Sequence, residues 1–253
     1  MLEIKQVSVI GFGNVGYELS RSLQSVGISV SHVYARSIDC DDNFPNTMFV
    51  NSLKDLPQGE LVLICVPDSE IENVLRHIPS GTPVAYTSGA VKLNELKHSG
   101  EIGVFYPLQS FTKGIVLDIT QVPFFIESKS EAFGNTLFQL ASKLSQNVQF
   151  ANSDVRSKLH LAAIWVNNFT NHMNFIAKEY LDANELNFSD LMPLLKETIR
   201  KIESNNPEKA QTGPARRGDL NVIEKHIKML PKKRQELYLK ISNSIIKTYS
   251  IDK

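Results

Sequence analysis

A chain of 253 residues, 42% of them apolar, can bury one large core or two modest ones. Its 27 basic and 27 acidic residues cancel, so no overall field draws it to nucleic acid or to an anionic membrane surface. The balance is local, however. Residues 196–253 hold 14 Lys/Arg against 7 Asp/Glu, and residues 1–195 hold 13 against 20, so the last quarter is basic and reads either as solvated helix faces or as an anion site. The two cysteines, Cys40 in a polar stretch and Cys65 inside "LVLICV", form no disulfide framework. The N-terminal "MLEIKQVSVIG" lacks a signal-peptide pattern, and no run approaches the ~18 apolar residues of a membrane span. The expectation is a globular, cytoplasmic protein with neither nucleic-acid nor membrane partners.

In chain order, short β-branched apolar runs recur as "QVSVIG", "ISVSHVYA", "LVLICV", "TPVAYTS" and "IGVFYP", and helically spaced segments lie between several of them. Strands buried on both faces and alternating with helices predict a parallel sheet, an α/β fold. "QVPFFIES", a helix over 131–144 and "NVQF" extend the sheet to about residue 150. Residues 153–180 then run without Gly or Pro, which predicts a helix of about seven turns, with Ser153 or Asp154 as its N-cap. It would be the spine of a second, all-helical domain. Further helices are expected over 189–204 and 219–249, joined by the polar loop "NNPEKAQTGPARRGD". The expected division is therefore 1–150 and 151–253.

The first strand runs directly into "GFGNVG", Gly11 to Gly16, which opens a helix. In that context the spacing reads as a dinucleotide loop, with a tight turn without ligand as the bland alternative. Gly11 permits the turn, Gly13 lets a diphosphate approach the backbone, and Gly16 lets helix and strand pack closely. Phe12, Asn14 and Val15 complete the loop, and the first helical N–H groups face the anion. An NAD-selective site carries Asp or Glu where the second strand ends, yet this chain has "YARS". Arg36 and Ser37 suit a 2′-phosphate instead, which favours NADP(H). Later loops on the same sheet edge place Val66, Pro67 and Ser88 beside the cofactor, and Gly89, Pro107 and Gln109 beside a small substrate.

Together "GFGNVG", "VPDSEI", "TSGA", "FYPLQSF", "HLAAIWVNNFTNH" and "QTGPARRGDL" resemble the β-hydroxyacid dehydrogenase-like superfamily. That resemblance implies an N-terminal Rossmann domain and a helical domain like the C-terminal part of 6-phosphogluconate dehydrogenase. The nearest similarity is to a bacterial group labelled NADP oxidoreductase, which joins a Rossmann-like domain to a C-terminal domain of unknown function. More distant similarity reaches pyrroline-5-carboxylate reductase and ketopantoate reductase. The superfamily implies hydride transfer to a small C=O or C=N substrate in an interdomain cleft, and a homodimer. Its proton-transferring lysine would stand one turn before Asn167 or Asn168, where this chain has Ala163 and Ile164. Lys158 lies too far upstream to replace it.

His160 is the substitute proton donor, since imidazole titrates near neutrality, unless it is only a satisfied core histidine. Asn168 shares its face and Asn167 lies beside it, while His172 reads as structural. Arg216 and Arg217 would grip a substrate carboxylate or phosphate, or else form a solvated turn with Asp219; His226 is a weaker candidate. No metal motif is present. Two other readings stay open: an NADP(H)-binding sensor or scaffold without turnover, and a reductase linking NADP to a deazaflavin.

Overall fold

The computed structural model describes residues 4–37 and 40–249. Eight strands form one sheet: β1 Gln6–Ile10, β2 Ser29–Tyr34, β3 Met48–Val50, β4 Leu61–Ile64, β5 Val84–Tyr86, β6 Ile102–Pro107, β7 Phe124–Ser128 and β8 Val148–Phe150. Their order is β3-β2-β1-β4-β5-β6-β7-β8. All pairings are parallel except β6 with β7. The fold is therefore α/β, a Rossmann-like sheet with one antiparallel joint and a helical C-terminal region. The short strand β3 was not evident in the sequence, because only three residues of "NTMFV" pair with β2.

Period-two alternation divides the strands between two cores. Val7, Val9, Leu61, Leu63, Phe105, Phe124 and Ile126 face α1 (Asn14–Ser25) and α3 (Glu131–Leu144). Ile10, Val62, Ile64, Tyr86, Val104, Tyr106 and Phe125 face the other side, covered by Ile71, Val74 and Leu75 of α2 (Asp68–His77). Pro67 occupies the N-cap of α2, with Asp68 and Glu70 in its first turn. The helix therefore starts on a fixed φ with its positive end facing carboxylates, not on a side-chain cap from Asp68 or Ser69.

The long helix begins one residue before the expected caps: Asn152 Oδ1 accepts the Val155 N–H at 2.9 Å and starts α4, Ser153–Ala163. Residues Ile164–Phe169 form a π-helix before α5, Thr170–Asp182, resumes α-helical geometry. The remaining helices are α6 Met192–Asn205, α7 Pro207–Ala210, α8 Pro214–Arg217, α9 Leu220–Met229 and α10 Lys232–Tyr249. The single helix expected over 219–249 is two. Pro231 separates them because it lacks an N–H and forces Leu230 into extended backbone, ψ 143°.

By contacts, the chain divides into two compact units, Met1–Met173 and Asn174–Lys253. The first unit keeps α4 because a single buried group holds it there. Arg156, fully buried, donates to the backbone carbonyls of Ser88 and Val91 and pairs with Glu127 of β7. Ser153 Oγ donates to the same carboxylate at 2.9 Å and accepts the Leu93 N–H at 3.0 Å. In the second unit Glu179 of α5 pairs with Lys233 and Arg234 of α10. Hydrogen bonds from Lys233 and then Arg234 hold this carboxyl at about 2, so the attachment weakens only as the pH falls from the ordinary carboxylate value toward that one.

Replacing Arg156 by Leu strands Glu127 and two carbonyls, and should lower stability by about 3–5 kcal/mol in urea denaturation. Arg156→Lys, which keeps the charge but not the fork, should cost less.

Candidate functional site

The sheet changes winding direction between β1 and β4, and open α/β sheets form a crevice for ligands at that point, beyond the strands' carboxyl ends. A cavity of about 370 Å³ lies there. It is lined by Gly11, Phe12 and Gly13 after β1, by Tyr34 to Ser37 after β2, and by Cys65 to Pro67 after β4. Seven of the expected cofactor contacts thus share one wall: Gly11, Phe12, Gly13, Arg36, Ser37, Val66 and Pro67.

The three glycines play different parts. Gly11 has φ +92°, and a Cβ there would meet the Cys65 carbonyl oxygen at 2.5 Å. A Cβ on Gly16 would sit 1.9 Å from the Gly11 oxygen. Both are required by the fold itself. Gly13 has φ −75°, and a Cβ there would meet nothing within 4 Å, so the protein's own packing gives no reason for glycine at this position. Space is left over the backbone at the helix N-terminus, the place where an anion is stabilised.

The remaining loop residues support this cradle from below. Phe12 packs edge-on against Tyr17, Phe44 and Phe49, and Val15 packs on the core. Asn14 Oδ1 accepts the Lys113 N–H at 3.1 Å. Lys113 itself lines the cavity, 4.6 Å above the Tyr17 ring and paired with Asp41. Burial works to raise the Asp41 carboxyl, but hydrogen bonds from Asn43 and the Lys113 partner outweigh it and hold it low. Lys113 was not predicted from sequence, since 99 positions separate it from Asn14. Cys65 lies under Gly11, and burial pushes its thiol up to about 12, so it stays protonated.

A second set of expected residues gathers beyond β6. A cavity of about 400 Å³ is lined by Tyr106, Gln109, His160, Asn167 and Asn168 among others. The loop after β6 links the two cavities: Leu108 to Ser110 line this one and Lys113 the first. Tyr106 Oη lies 3.0 Å from His160 Nδ1, and burial pushes the phenol up to about 12. Gly89 makes the pair possible, because a Cβ there would fall 2.6–2.8 Å from the tyrosine ring, its hydroxyl and His160 Nδ1. The π-helix carries Asn167 and Asn168 to the same wall; such insertions in helices are common at functional sites.

Other candidates stand elsewhere. Ser88 is buried and its Oγ accepts the N–H groups of Ala90 and Val91. Pro107 is buried in register with Phe124. In the second unit Arg216 stacks on Tyr249, 4.3 Å from the ring centroid, while Arg217 is exposed and Asp219 caps α9. His226 Nδ1 lies 2.6 Å from the Tyr238 hydroxyl. Tyr106 and Arg156 were missed although both had signals: Tyr106 stands within "FYPLQSF", and Arg156 precedes His160 by four residues, hence on one helix face.

Residues 3–109 match the family of Rossmann-like domains, and residues 122–245 match the domain of unknown function DUF2520. A structure named "putative NADP oxidoreductase" from Bacteroides fragilis is 33% identical, with 96% of this chain and 98% of that one aligned and a TM-score of 0.88. The chain belongs to that family. A protein from Thermotoga maritima is 21% identical over 97% and 99% of the two chains, with a TM-score of 0.69. A reductive aminase from Aspergillus terreus, solved with NADPH and ethyl levulinate, shares the fold at 11% identity over 95% and 92%, with a TM-score of 0.67. No curated protein matches. Among the described residues, no helix is long and apolar enough to cross a membrane.

The glycine geometry separates the demands of fold and ligand. Gly16→Ala should cost about 1–3 kcal/mol in urea denaturation, whereas Gly13→Ala should stay within about 0.5 kcal/mol of wild type.

Proposed function

We propose that this protein is an NADP(H)-dependent oxidoreductase that reduces a small C=O or C=N substrate. The observation that carries the reading is Arg36 and Ser37, at the end of β2, lining the same cavity as the glycine loop. A dinucleotide's diphosphate would lie over Gly13 at the N-terminus of α1, its 2′-phosphate beside Arg36 and Ser37, and its ribose beside Val66 and Pro67. When bound, the reduced nicotinamide supplies a hydride to the electrophilic carbon.

The chain's own part is orientation and proton delivery. Tyr106, kept as a phenol by burial, shares a hydrogen bond with His160 Nδ1 that orients the ring. A protonated His160 would give the proton on Nε2 to the reduced oxygen or nitrogen and be left as neutral imidazole, taking the place of the superfamily's lysine. Asn167, Asn168 and Gln109 supply neutral donors and acceptors to hold the substrate. Arg216 and Arg217 are assigned to a substrate carboxylate or phosphate on sequence resemblance alone. The two free thiols fit a reducing, cytoplasmic setting.

We also infer a homodimer. Among the described residues of the second unit only Ala215 and Ile223 are buried apolar side chains, while Phe175, Leu194, Leu220 and Met229 are each more than half exposed. A unit this small with so little core needs its apolar faces covered, and a second copy is the cover proposed.

Titration with NADPH and NADH, followed by nicotinamide fluorescence, should show NADPH preferred, with Arg36→Ala weakening NADPH by about tenfold or more and leaving NADH unchanged. NADPH oxidation across a panel of small aldehydes, ketones and imines should then fall by about 10²–10⁴-fold in His160→Ala. Binding without oxidation of NADPH by any of them would overturn the enzymatic reading in favour of a sensor. Sedimentation equilibrium should give twice the chain mass at micromolar concentration, and a monomer there would overturn the dimer.

A further inference from the structure

A second cavity, about 450 Å³, shares Tyr34, Arg36 and Val66 with the nucleotide cavity and extends away from the glycine loop. Its far walls come from the turn after β3, which contributes Ser52 and Lys54, and from α2, which contributes Glu70, Asn73 and His77. Arg36 and Lys54 are both exposed side chains. Neither forms an ion pair with any described carboxylate. Glu70 is the one carboxylate on the lining, so two cations face one anion and the cavity is net positive.

Lys54 is held in place by its backbone. Ser52 Oγ accepts the Lys54 N–H at 3.2 Å and starts the 3-10 turn Leu53–Asp55. That turn follows β3, which pairs with β2 through Tyr34 and Val50. Arg36 follows β2 and Lys54 follows β3, two neighbouring strands, so both cations, unpaired among the described residues, line one opening.

We propose that the phosphomonoester of an adenosine 2′-phosphate sits at Arg36, where the two cavities meet, with Lys54 reaching it from the second cavity, and that Lys54 is a specificity-determining residue for NADP(H). The inference rests on the nucleotide reading above and adds a second cation from a different element. A planar guanidinium and a point-charge ammonium together satisfy a dianion better than either alone. Glu70 and Asn73 offer an acceptor and a donor to the edge of the attached purine.

The test is calorimetric titration of wild type, Lys54→Met and Lys54→Arg with 2′,5′-ADP and with 5′-ADP. Lys54 is on the surface, so its replacement leaves the core intact. The expected result is about a tenfold loss of 2′,5′-ADP affinity in Lys54→Met, near-recovery in Lys54→Arg and no change for 5′-ADP. Equal 2′,5′-ADP affinity in Lys54→Met and wild type would overturn the role of Lys54 while leaving the nucleotide reading in place. Failure of wild type to bind either nucleotide would overturn both.

Discussion

The buried pairing of Arg156 with Glu127 is the interaction on which the rest of the first unit depends. A guanidinium removed from water must have its donors satisfied and its charge opposed, or the fold loses several kcal/mol. Here the partners come from three separate places: the carbonyls of Ser88 and Val91 after β5, the carboxylate of Glu127 on β7, and the start of α4 itself. The fork therefore fixes the loop holding Gly89, the strand paired with β6, and the helix presenting His160. One turn beyond Arg156, His160 meets Tyr106 across Gly89. Moving any of these elements would unpair a buried charge, so the positions of the two rings follow from the arginine.

The cavity beside the glycine loop rests on a different constraint, the close crossing of backbone at Gly11, Gly16 and Cys65. Contacts of 1.9 and 2.5 Å for hypothetical Cβ atoms show that α1 and the ends of β1 and β4 approach too closely for any side chain. That closeness brings the N-terminus of α1, at Gly13, to the edge of the opening, where a helix stabilises an anion. Gly13 stands apart from this packing. Its freedom serves whatever lies above the backbone, not the backbone itself.

Much of this was legible in the sequence. The glycine loop, the "YARS" end of β2 and the bounds of α3 follow from local rules: φ freedom at glycine, the strand period of two, and Ser130 as a helix cap. His160, Asn167 and Asn168 were also legible as polar residues recurring on a mostly apolar helix. The misses share a cause. Asn152 caps α4 in place of Ser153 because Ser153 Oγ is occupied by Glu127 and the Leu93 N–H, partners 26 and 60 residues away.

By itself the sequence determined the α/β class, the glycine loop between the first strand and helix and the identity of the residues at each strand end, because propensity, periodicity and turn chemistry act over a few neighbouring positions. Only the tertiary structure decided which of those ends meet. Lys113 arrives at Asn14, and Lys54 faces the cavity of Arg36, through the order of strands in the sheet. The antiparallel joint of β6 and β7 brings Glu127 to Arg156. Strand order and burial are settled by the packing of the whole sheet, and no window of adjacent residues encodes them.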